Sequence, residues 1–97
     1  MIHEDERRIL ESWPEAKVIT AKQDCVLGGH YHKIKTEMFI LTSGWAILRF
    51  IFSEHVMEVG KIYRIEPKTL HSFEIGEGSV LIGLCSHPYD PTDDYPV

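Results

Sequence analysis

From residue 17 onward, apolar and polar residues alternate in short runs that turn residues separate at intervals of about ten residues. The runs are rich in valine, isoleucine and aromatic residues, which favour strands over helices. Glycine, proline and serine mark their ends, because these residues accept turn conformations. The predicted strands are Lys17 to Lys22, Cys25 to Leu27, His30 to Lys33, Glu37 to Thr42, Trp45 to Phe52, His55 to Val59, Ile62 to Glu66, His71 to Ile75 and Val80 to Ser86.

The spacing between these strands leaves no room for a long helix, which excludes parallel βαβ units and favours an antiparallel barrel or sandwich. The charged segment from Asp5 to Trp13 predicts a short helix that ends before Pro14, since the residue before a proline avoids the helical region. Residues 1–16 are therefore expected to form an N-terminal arm. Residues 88–97 are rich in proline and aspartate and predict an extended tail, which Tyr89 and Tyr95 could fasten to the barrel.

A chain of 97 residues is long enough for one modest core, and we expect residues 1–97 to form a single domain. Because 43% of the residues are hydrophobic, a homodimer that covers one sheet face is expected. Fifteen acidic against ten basic side chains make nucleic acid and anionic membranes poor partners. The charged N-terminus lacks the features of a signal peptide and no apolar run approaches a membrane span, so a cytoplasmic location is expected.

His30 and His32 are two residues apart, so on a strand both imidazoles face the same side. Glu37 heads the next apolar run, where a tight connection can bring its carboxylate back beside them, and His71 opens a strand after the Pro67 turn. A single histidine on a strand is ordinarily a surface or hydrogen-bonded core residue, so the combination carries the argument. Three imidazoles and one carboxylate suit manganese, iron, nickel, cobalt or zinc.

Two segments of the chain resemble the motifs of the cupin family. Gly28 to Gly44 is similar to the first motif, in which His-x-His is followed by a glutamate and, seven residues later, a glycine. Gly60 to His71 is similar to the second motif, with a glycine, a proline-bearing turn and a final histidine. The second segment lacks the family's turn glycine, where Lys68 or Thr69 stands, and the asparagine that often follows the histidine.

The resemblance implies an all-β double-stranded β-helix, that is, a cupin or jelly-roll barrel, here with the short N-terminal helix. It also implies that one divalent metal ion, of undetermined identity, is held by His30, His32, Glu37 and His71.

Strand alternation predicts which residues surround such a site. Phe39 and Leu41 share a strand face with Glu37, and Phe73 shares one with His71, so these three are expected to form pocket walls. Arg49 and Tyr63 are further pocket candidates whose facing depends on hairpin register, because a slip of one residue reverses it.

The segments 30–37 and 43–46 are most similar to cupins that act on sugars and nucleotide sugars, including capsule-polysaccharide cupin domains, and residues 86–90 are similar to the tails of ketoisomerases in that group. This resemblance implies a sugar isomerase or epimerase in which the metal polarises a carbonyl or enediolate oxygen and a base moves a proton. The base is Glu37 if the metal does not bind it tightly, and otherwise Tyr63.

Two alternatives stay open, so the sequence does not decide whether the chain is an enzyme. The same ligands suit an iron-dependent dioxygenase with open positions for substrate and dioxygen. They also suit a non-catalytic module that binds a sugar or another small molecule.

Overall fold

The computed structural model describes residues 1–88, 91–93, 95 and 96, and for residues 30, 91 and 96 it describes the backbone alone. Within this part of the chain, eleven strands form two antiparallel sheets, and a single 3₁₀ turn spans Pro91–Asp93. The strands are β1 Ile2–Glu4, β2 Arg8–Trp13, β3 Ala16–Ala21, β4 Cys25–Tyr31, β5 Glu37–Ser43, β6 Ala46–Arg49, β7 Glu54–Val56, β8 Ile62–Ile65, β9 His71–Ile75, β10 Val80–Cys85 and β11 Tyr95–Pro96.

One sheet has six strands in the order β1-β2-β3-β10-β5-β8, and the other has five in the order β11-β4-β9-β6-β7. Strands that are distant in sequence lie side by side, which gives a sandwich of two sheets and agrees with the predicted all-β jelly-roll class. No helix among the described residues is long and apolar enough to cross a membrane.

The predicted N-terminal helix is wrong. Residues 2–4 and 8–13 form a β-hairpin instead, and β2 continues the six-stranded sheet by pairing with β3 from Arg8 to Trp13. The turn between them is closed by Asp5, whose Oδ1 accepts hydrogen bonds from the backbone N–H groups of Arg7 and Arg8. The local sequence suits a helix, but pairing with β3 satisfies the same backbone groups and also places Leu10 against the core.

The core lies between the sheets and is built from the inward-facing positions of both. Its twelve buried apolar residues among those described are Ile19, Ala21, Leu27, Phe39, Leu41, Ala46, Leu48, Met57, Ile65, Phe73, Ile75 and Leu81. Their spacing of two along β3, β5, β6 and β9 is the alternation that the sequence showed.

Strand β4 continues through the two glycines that separate the predicted strands Cys25 to Leu27 and His30 to Lys33. Gly28 and Gly29 have φ angles of 95° and 79°, and the pairing of β4 with β9 shifts register between Gly28 and His30. An extra residue at this point is a β-bulge, which bends a strand without ending it. The bulge sets the register that places His30 opposite His71.

The C-terminal segment is fastened to β4. Strand β11 pairs with β4, and the Tyr95 ring stacks on Tyr31 with centroids 5.1 Å apart. The Lys33 ammonium lies 4.3 Å from the centre of the Tyr95 ring. Tyr89, the other tyrosine predicted to fasten the tail, lies outside the described residues.

Candidate metal and ligand site

Polar residues occupy one end of the space between the sheets. Two strands begin at that end, and the first residue of each is polar and faces inward. Glu37 is the first residue of β5 and is 1% exposed, and His71 is the first residue of β9 and is 2% exposed. His32 follows the end of β4 and is 6% exposed. Three predicted ligands from separate parts of the sequence therefore meet inside the protein.

The two imidazoles converge on one carboxylate oxygen. His32 Nε2 lies 3.1 Å and His71 Nε2 lies 3.5 Å from Glu37 Oε1. No described residue gives Oε1 a contact with hydrogen-bond geometry, although the atom is buried. A buried carboxylate oxygen without a hydrogen bond is unusual in a folded protein and is a feature that calls for an explanation.

Backbone carbonyls fix the other nitrogen of each ring. His32 Nδ1 lies 2.6 Å from the Asp93 carbonyl oxygen, and His71 Nδ1 lies 2.9 Å from that of Thr69. A carbonyl only accepts, so each Nδ1 must donate its proton. In a neutral imidazole this leaves the Nε2 lone pair facing Glu37, which is the tautomer and orientation that metal-binding histidines use.

The second oxygen of Glu37 contacts a cation. Lys17 Nζ lies 3.3 Å from Oε2, and the Cys85 thiol lies 3.9 Å from the same oxygen. Burial raises the pKa of Cys85, so the thiol stays neutral and donates to the carboxylate. Lys17 shares the inward face of β3 with Ile19 and Ala21, and its side chain crosses β10 to reach β5.

Gly83 makes that crossing possible. It pairs with Lys17 on one side and Phe39 on the other. A Cβ at this position would lie 3.0 Å from Lys17 Cε and 2.9 Å from a carbon of the Phe39 ring. The missing side chain therefore opens the path along which the lysine reaches Glu37.

The surroundings of Glu37 keep it ionised. Burial raises its pKa, but the neighbouring His32 and His71 imidazoles and the Lys17 ammonium outweigh burial and hold the pKa of Glu37 well below its usual range. The site thus contains a fixed negative charge that faces two ring nitrogens.

The two contacts to Glu37 have lengths that a shared metal ion would give. Atoms that share one ion at about 2.1 Å lie roughly 3 to 3.4 Å apart at octahedral or tetrahedral angles, close to the two distances observed here. Among the described side chains, which exclude His30, no group of three or more His, Cys, Asp or Glu residues has an arrangement that could hold a metal ion. Although the backbone of His30 lies opposite His71, its side chain is outside the described part, so the four-ligand set stays a prediction.

The predicted pocket residues divide into two groups. Phe39, Leu41 and Phe73 lie inside the core, where the rings of Phe39 and Phe73 are 4.6 Å apart and Phe73 also packs edge-on against His71. Arg49 is not beside Glu37, because its guanidinium pairs with Glu54 and Glu74.

Tyr63 also lies away from Glu37. It pairs with Phe39, the next inward-facing residue of β5 after Glu37. Its hydroxyl accepts a hydrogen bond from the Glu58 backbone N–H at 2.8 Å.

A cavity of about 650 Å³ leads to this end of the core from the side of the N-terminal hairpin. Its walls include His32 and Lys17 from the site, and Cys85 beside Glu37. The remaining lining residues are Met1, His3, Arg8, Leu10, Ser12, Trp13, Pro14, Ala16, Ile19 and Lys35. A small molecule in this cavity would lie next to the histidine and carboxylate cluster.

Asp93 supports the site from the distant C-terminal segment. It is 4% exposed, its carbonyl holds His32, and its Oδ1 accepts hydrogen bonds from the backbone N–H groups of Lys33 and Ile34. Sequence reasoning missed Asp93 and Lys17. The alternation of Lys17, Ile19 and Ala21 was a usable signal for the lysine, whereas no local pattern marks Asp93.

Comparisons with solved structures identify related folds. The capsular polysaccharide assembling protein CapF from Staphylococcus aureus gives a TM-score of 0.87 at 22% identity, over 100% of this chain and 31% of that one. QdtA, a sugar 3,4-ketoisomerase from Thermoanaerobacterium thermosaccharolyticum in complex with TDP, gives 0.69 at 27% identity, over 84% of this chain and 65% of that one. KdgF from Halomonas sp. gives a TM-score of 0.77 at 14% identity, over 95% of this chain and 91% of that one.

This chain therefore spans about a third of the length of the CapF chain. No family model matches the sequence, and no curated protein matches it. The structural likenesses support the small cupin-like fold that the two sequence motifs predicted.

Proposed function

We propose that this chain binds one divalent metal ion through His30, His32, Glu37 and His71 and uses it to isomerise or epimerise a small sugar or nucleotide sugar. The observation that carries the proposal is the convergence of two Nε2 atoms on Glu37 Oε1 in a buried site beside a cavity. The metal could be manganese, iron, nickel, cobalt or zinc, since imidazole and carboxylate ligands suit them all.

Electrostatics support a cation between these groups. Each Nδ1 donates to a carbonyl, so each Nε2 faces the ionised carboxylate of Glu37. A metal ion bound by these three atoms would accept both Nε2 lone pairs and balance the carboxylate charge. The 3.1 and 3.5 Å separations suit the metal ion.

The chemistry proposed is a proton shift next to a carbonyl. A bound divalent ion would polarise the carbonyl or enediolate oxygen of the substrate. Lys17, which lines the cavity, is the ammonium group best placed to stabilise negative charge that develops beside Glu37. QdtA is a sugar 3,4-ketoisomerase, and its structural similarity to this chain supports the same reaction class here.

The two predicted bases are placed differently. A carboxyl group with a strongly lowered pKa is a weak general base, so Glu37 is better suited to hold the metal than to remove a proton. Tyr63 pairs with Phe39 rather than with Glu37, and its hydroxyl accepts a hydrogen bond from the Glu58 backbone N–H. These placements favour a second candidate function, a metal-containing module that binds a sugar without turning it over.

We also propose that two copies of the chain pair through the outer face of the six-stranded sheet. Met38, Leu84 and Ile62 lie exposed on that face, and Met38 and Leu84 are direct cross-strand neighbours. Burying apolar residues in rows on a sheet is the usual way that a symmetric dimer forms. Sedimentation equilibrium tests this, and a monomer mass throughout the micromolar range would contradict it.

The decisive experiment measures metal and turnover separately. Untagged protein is stripped with a chelator and titrated calorimetrically with manganese, zinc and ferrous ions, and the variant His71→Ala is compared with His55→Ala, which removes an exposed histidine. We expect His71→Ala to lose at least about a hundredfold in affinity, because one ligand is missing, and His55→Ala to bind normally.

Turnover is followed by proton NMR in heavy water with keto-sugars and nucleotide keto-sugars. Exchange of the proton next to the carbonyl only in the metal-loaded protein supports the isomerase. Binding without exchange supports the non-catalytic module, and oxygen consumption by an iron-loaded protein supports the dioxygenase. If no metal binds, the metal proposal is wrong.

A further inference from the structure

We propose that the ligand of this cavity carries an anionic group, a carboxylate or a phosphate, and that Arg8 and Lys35 hold it. The inference rests on the proposed function in one respect, that the cavity beside Glu37 receives a small polar molecule. It adds the charge of that molecule and two residues that recognise it.

The cavity has the opposite charge to the protein. The chain has 15 acidic and 10 basic side chains and a net charge of −5. The walls nevertheless contain Arg8, Lys17 and Lys35, together with His3, and no aspartate or glutamate occurs among the described residues that line them. A concentration of cations in one concave surface of an acidic protein attracts an anionic ligand and disfavours a cationic one.

Arg8 is the strongest single observation. It lies on β2 and lines the cavity together with Leu10 and Ser12, the alternate residues of the same strand. Its side chain is only 24% exposed, and Nε is buried without a hydrogen-bond acceptor in the described part of the chain. A buried guanidinium N–H without an acceptor is costly, and a ligand carboxylate or phosphate would supply that acceptor.

The nearest carboxylate does not satisfy Arg8. Asp5 Oδ2 lies 3.9 Å from Arg8 Nε, beyond hydrogen-bond distance, and it is 3.7 Å from Arg7 and 3.8 Å from His3. The other oxygen of Asp5 is occupied by the backbone N–H groups of Arg7 and Arg8. Asp5 therefore shapes the hairpin turn and leaves the inner side of the guanidinium facing the cavity.

Lys35 supplies the second cation. It lies in the connection between β4 and β5, two residues before Glu37, and it is 6% exposed. Lysine is rarely buried to this degree, and in the low-dielectric wall of a cavity its charge acts on a ligand more strongly than a surface lysine would. Lys17, the third cation, lies 3.3 Å from Glu37. Arg8 and Lys35 are assigned to the ligand because both line the cavity and both are largely buried there.

The apolar lining fits the remainder of such a molecule. Leu10, Trp13 and Ile19 line the same cavity and offer a surface for the carbon skeleton of a sugar ring. The geometry thus combines an apolar wall, two cations on one side and the histidine cluster on the other. This arrangement suits a sugar acid or a sugar phosphate better than a neutral sugar.

The test compares neutral and charged probes of one shape. Glucose, glucuronate and glucose phosphorylated at its primary hydroxyl are titrated into the metal-free protein, and binding is followed by amide chemical shifts. Arg8→Gln is compared with Arg7→Gln, which removes the same charge from the neighbouring residue, 47% exposed and outside the cavity lining. Because no turnover or metal is required, the result does not depend on the catalytic part of the proposed function.

We expect at least one charged probe to bind about tenfold or more tightly than glucose, with shifts at cavity residues and a loss of affinity in salt. Arg8→Gln should remove most of that preference, and Arg7→Gln should retain it. Preference for glucuronate alone identifies a carboxylate ligand, and preference for the phosphorylated sugar alone identifies a phosphate.

Equal binding of all three probes, no binding at millimolar concentration, or equal losses in both arginine variants would overturn the inference. If neutral keto-sugars are nevertheless isomerised by the metal-loaded protein, the proposed function stands and only the anion inference fails. Lys35→Met provides a second variant, and it should weaken the charged probes in the same way as Arg8→Gln.

Discussion

The two ends of the space between the sheets differ in chemistry although the same strands build both. At one end, the inward positions of β5, β9 and β3 hold Glu37, His71 and Lys17. The next two inward positions on each of these strands are apolar and buried: Phe39 and Leu41, Phe73 and Ile75, Ile19 and Ala21. One step of alternation, about 7 Å along a strand, separates charged groups from core.

The difference shows how a small protein divides its interior. The apolar end supplies the burial that stabilises the fold, and it fixes the strand register on which the polar end depends. The polar end reduces stability unless its charges are matched, so it is retained for a purpose other than folding. Three changes test this division, starting with the largest expected loss of stability.

The first change removes volume from the apolar end. Leu41 is fully buried, so Leu41→Ala should lower the free energy of unfolding by about 3 kcal/mol through lost burial and the cavity left behind. The measurement is urea denaturation of the metal-free protein. Ile51→Ala, which removes a side chain of the same size at a residue 66% exposed between β6 and β7, should cost less than about 1 kcal/mol. Equal losses would contradict the assignment of the core.

The second change removes the charge from the polar end. In Glu37→Gln the Lys17 ammonium and the imidazoles lose their anionic neighbour, which should cost about 2 kcal/mol at neutral pH. The folded pKa of Glu37 lies below its ordinary value of 4.5. The stability that its ionised form contributes is therefore fully present above about pH 4.5 and is lost as the pH falls below that value.

Denaturation midpoints of the metal-free wild type and Glu37→Gln, measured from neutral to acidic pH, should therefore converge at low pH. Asp5, whose pKa is also lowered, chiefly by the Arg7 backbone N–H, is present in both proteins and cancels in the difference. Parallel curves over the whole range would show that Glu37 does not carry the charge assigned to it.

The third change acts on the polar end from a distance. Asp93→Ala removes the acceptor for the Lys33 and Ile34 N–H groups and should loosen the carbonyl that holds His32. We expect a loss of about 1 kcal/mol in stability and of about tenfold in metal affinity. Asp93→Asn keeps an acceptor oxygen and should retain most of the stability and most of the metal affinity.

The readout specific to positioning is the pair of His32 ring nitrogen shifts in the metal-free protein, which report the tautomer. These shifts should differ from the wild-type values in Asp93→Ala and match them in Asp93→Asn. Unchanged shifts in both variants would mean that Asp93 only stabilises the loop.

Local patterns predicted much of the fold and part of the site. The span of β9 was predicted from His71 to Ile75, and β5 and β10 were predicted to within a residue at one end, because alternation and turn residues are short-range signals. The same alternation puts Glu37 and His71 on the buried faces of β5 and β9. Local sequence does not determine how neighbouring strands align. The sequence therefore did not predict which way the side chains of Arg49 and Tyr63 face.

The failures share a physical cause. The N-terminal segment has a composition that suits a helix, but its backbone pairs with β3 in the folded protein. Lys17 reaches Glu37 only because Gly83 lies between them on a strand that comes much later in the sequence. Asp93 contacts His32 across 61 residues. Each feature requires the sheet order, which local sequence does not contain.

The contact between His32 and Asp93 has a consequence for synthesis of the protein. A chain leaves the ribosome from its N-terminus, so His32, Glu37 and His71 all emerge before the residue that orients the first of them. An incomplete chain can form most of both sheets, but its first histidine has no carbonyl to set its tautomer. The site is therefore completed late, and binding of the proposed metal ion would follow release of the C-terminal segment rather than guide the earliest steps of folding.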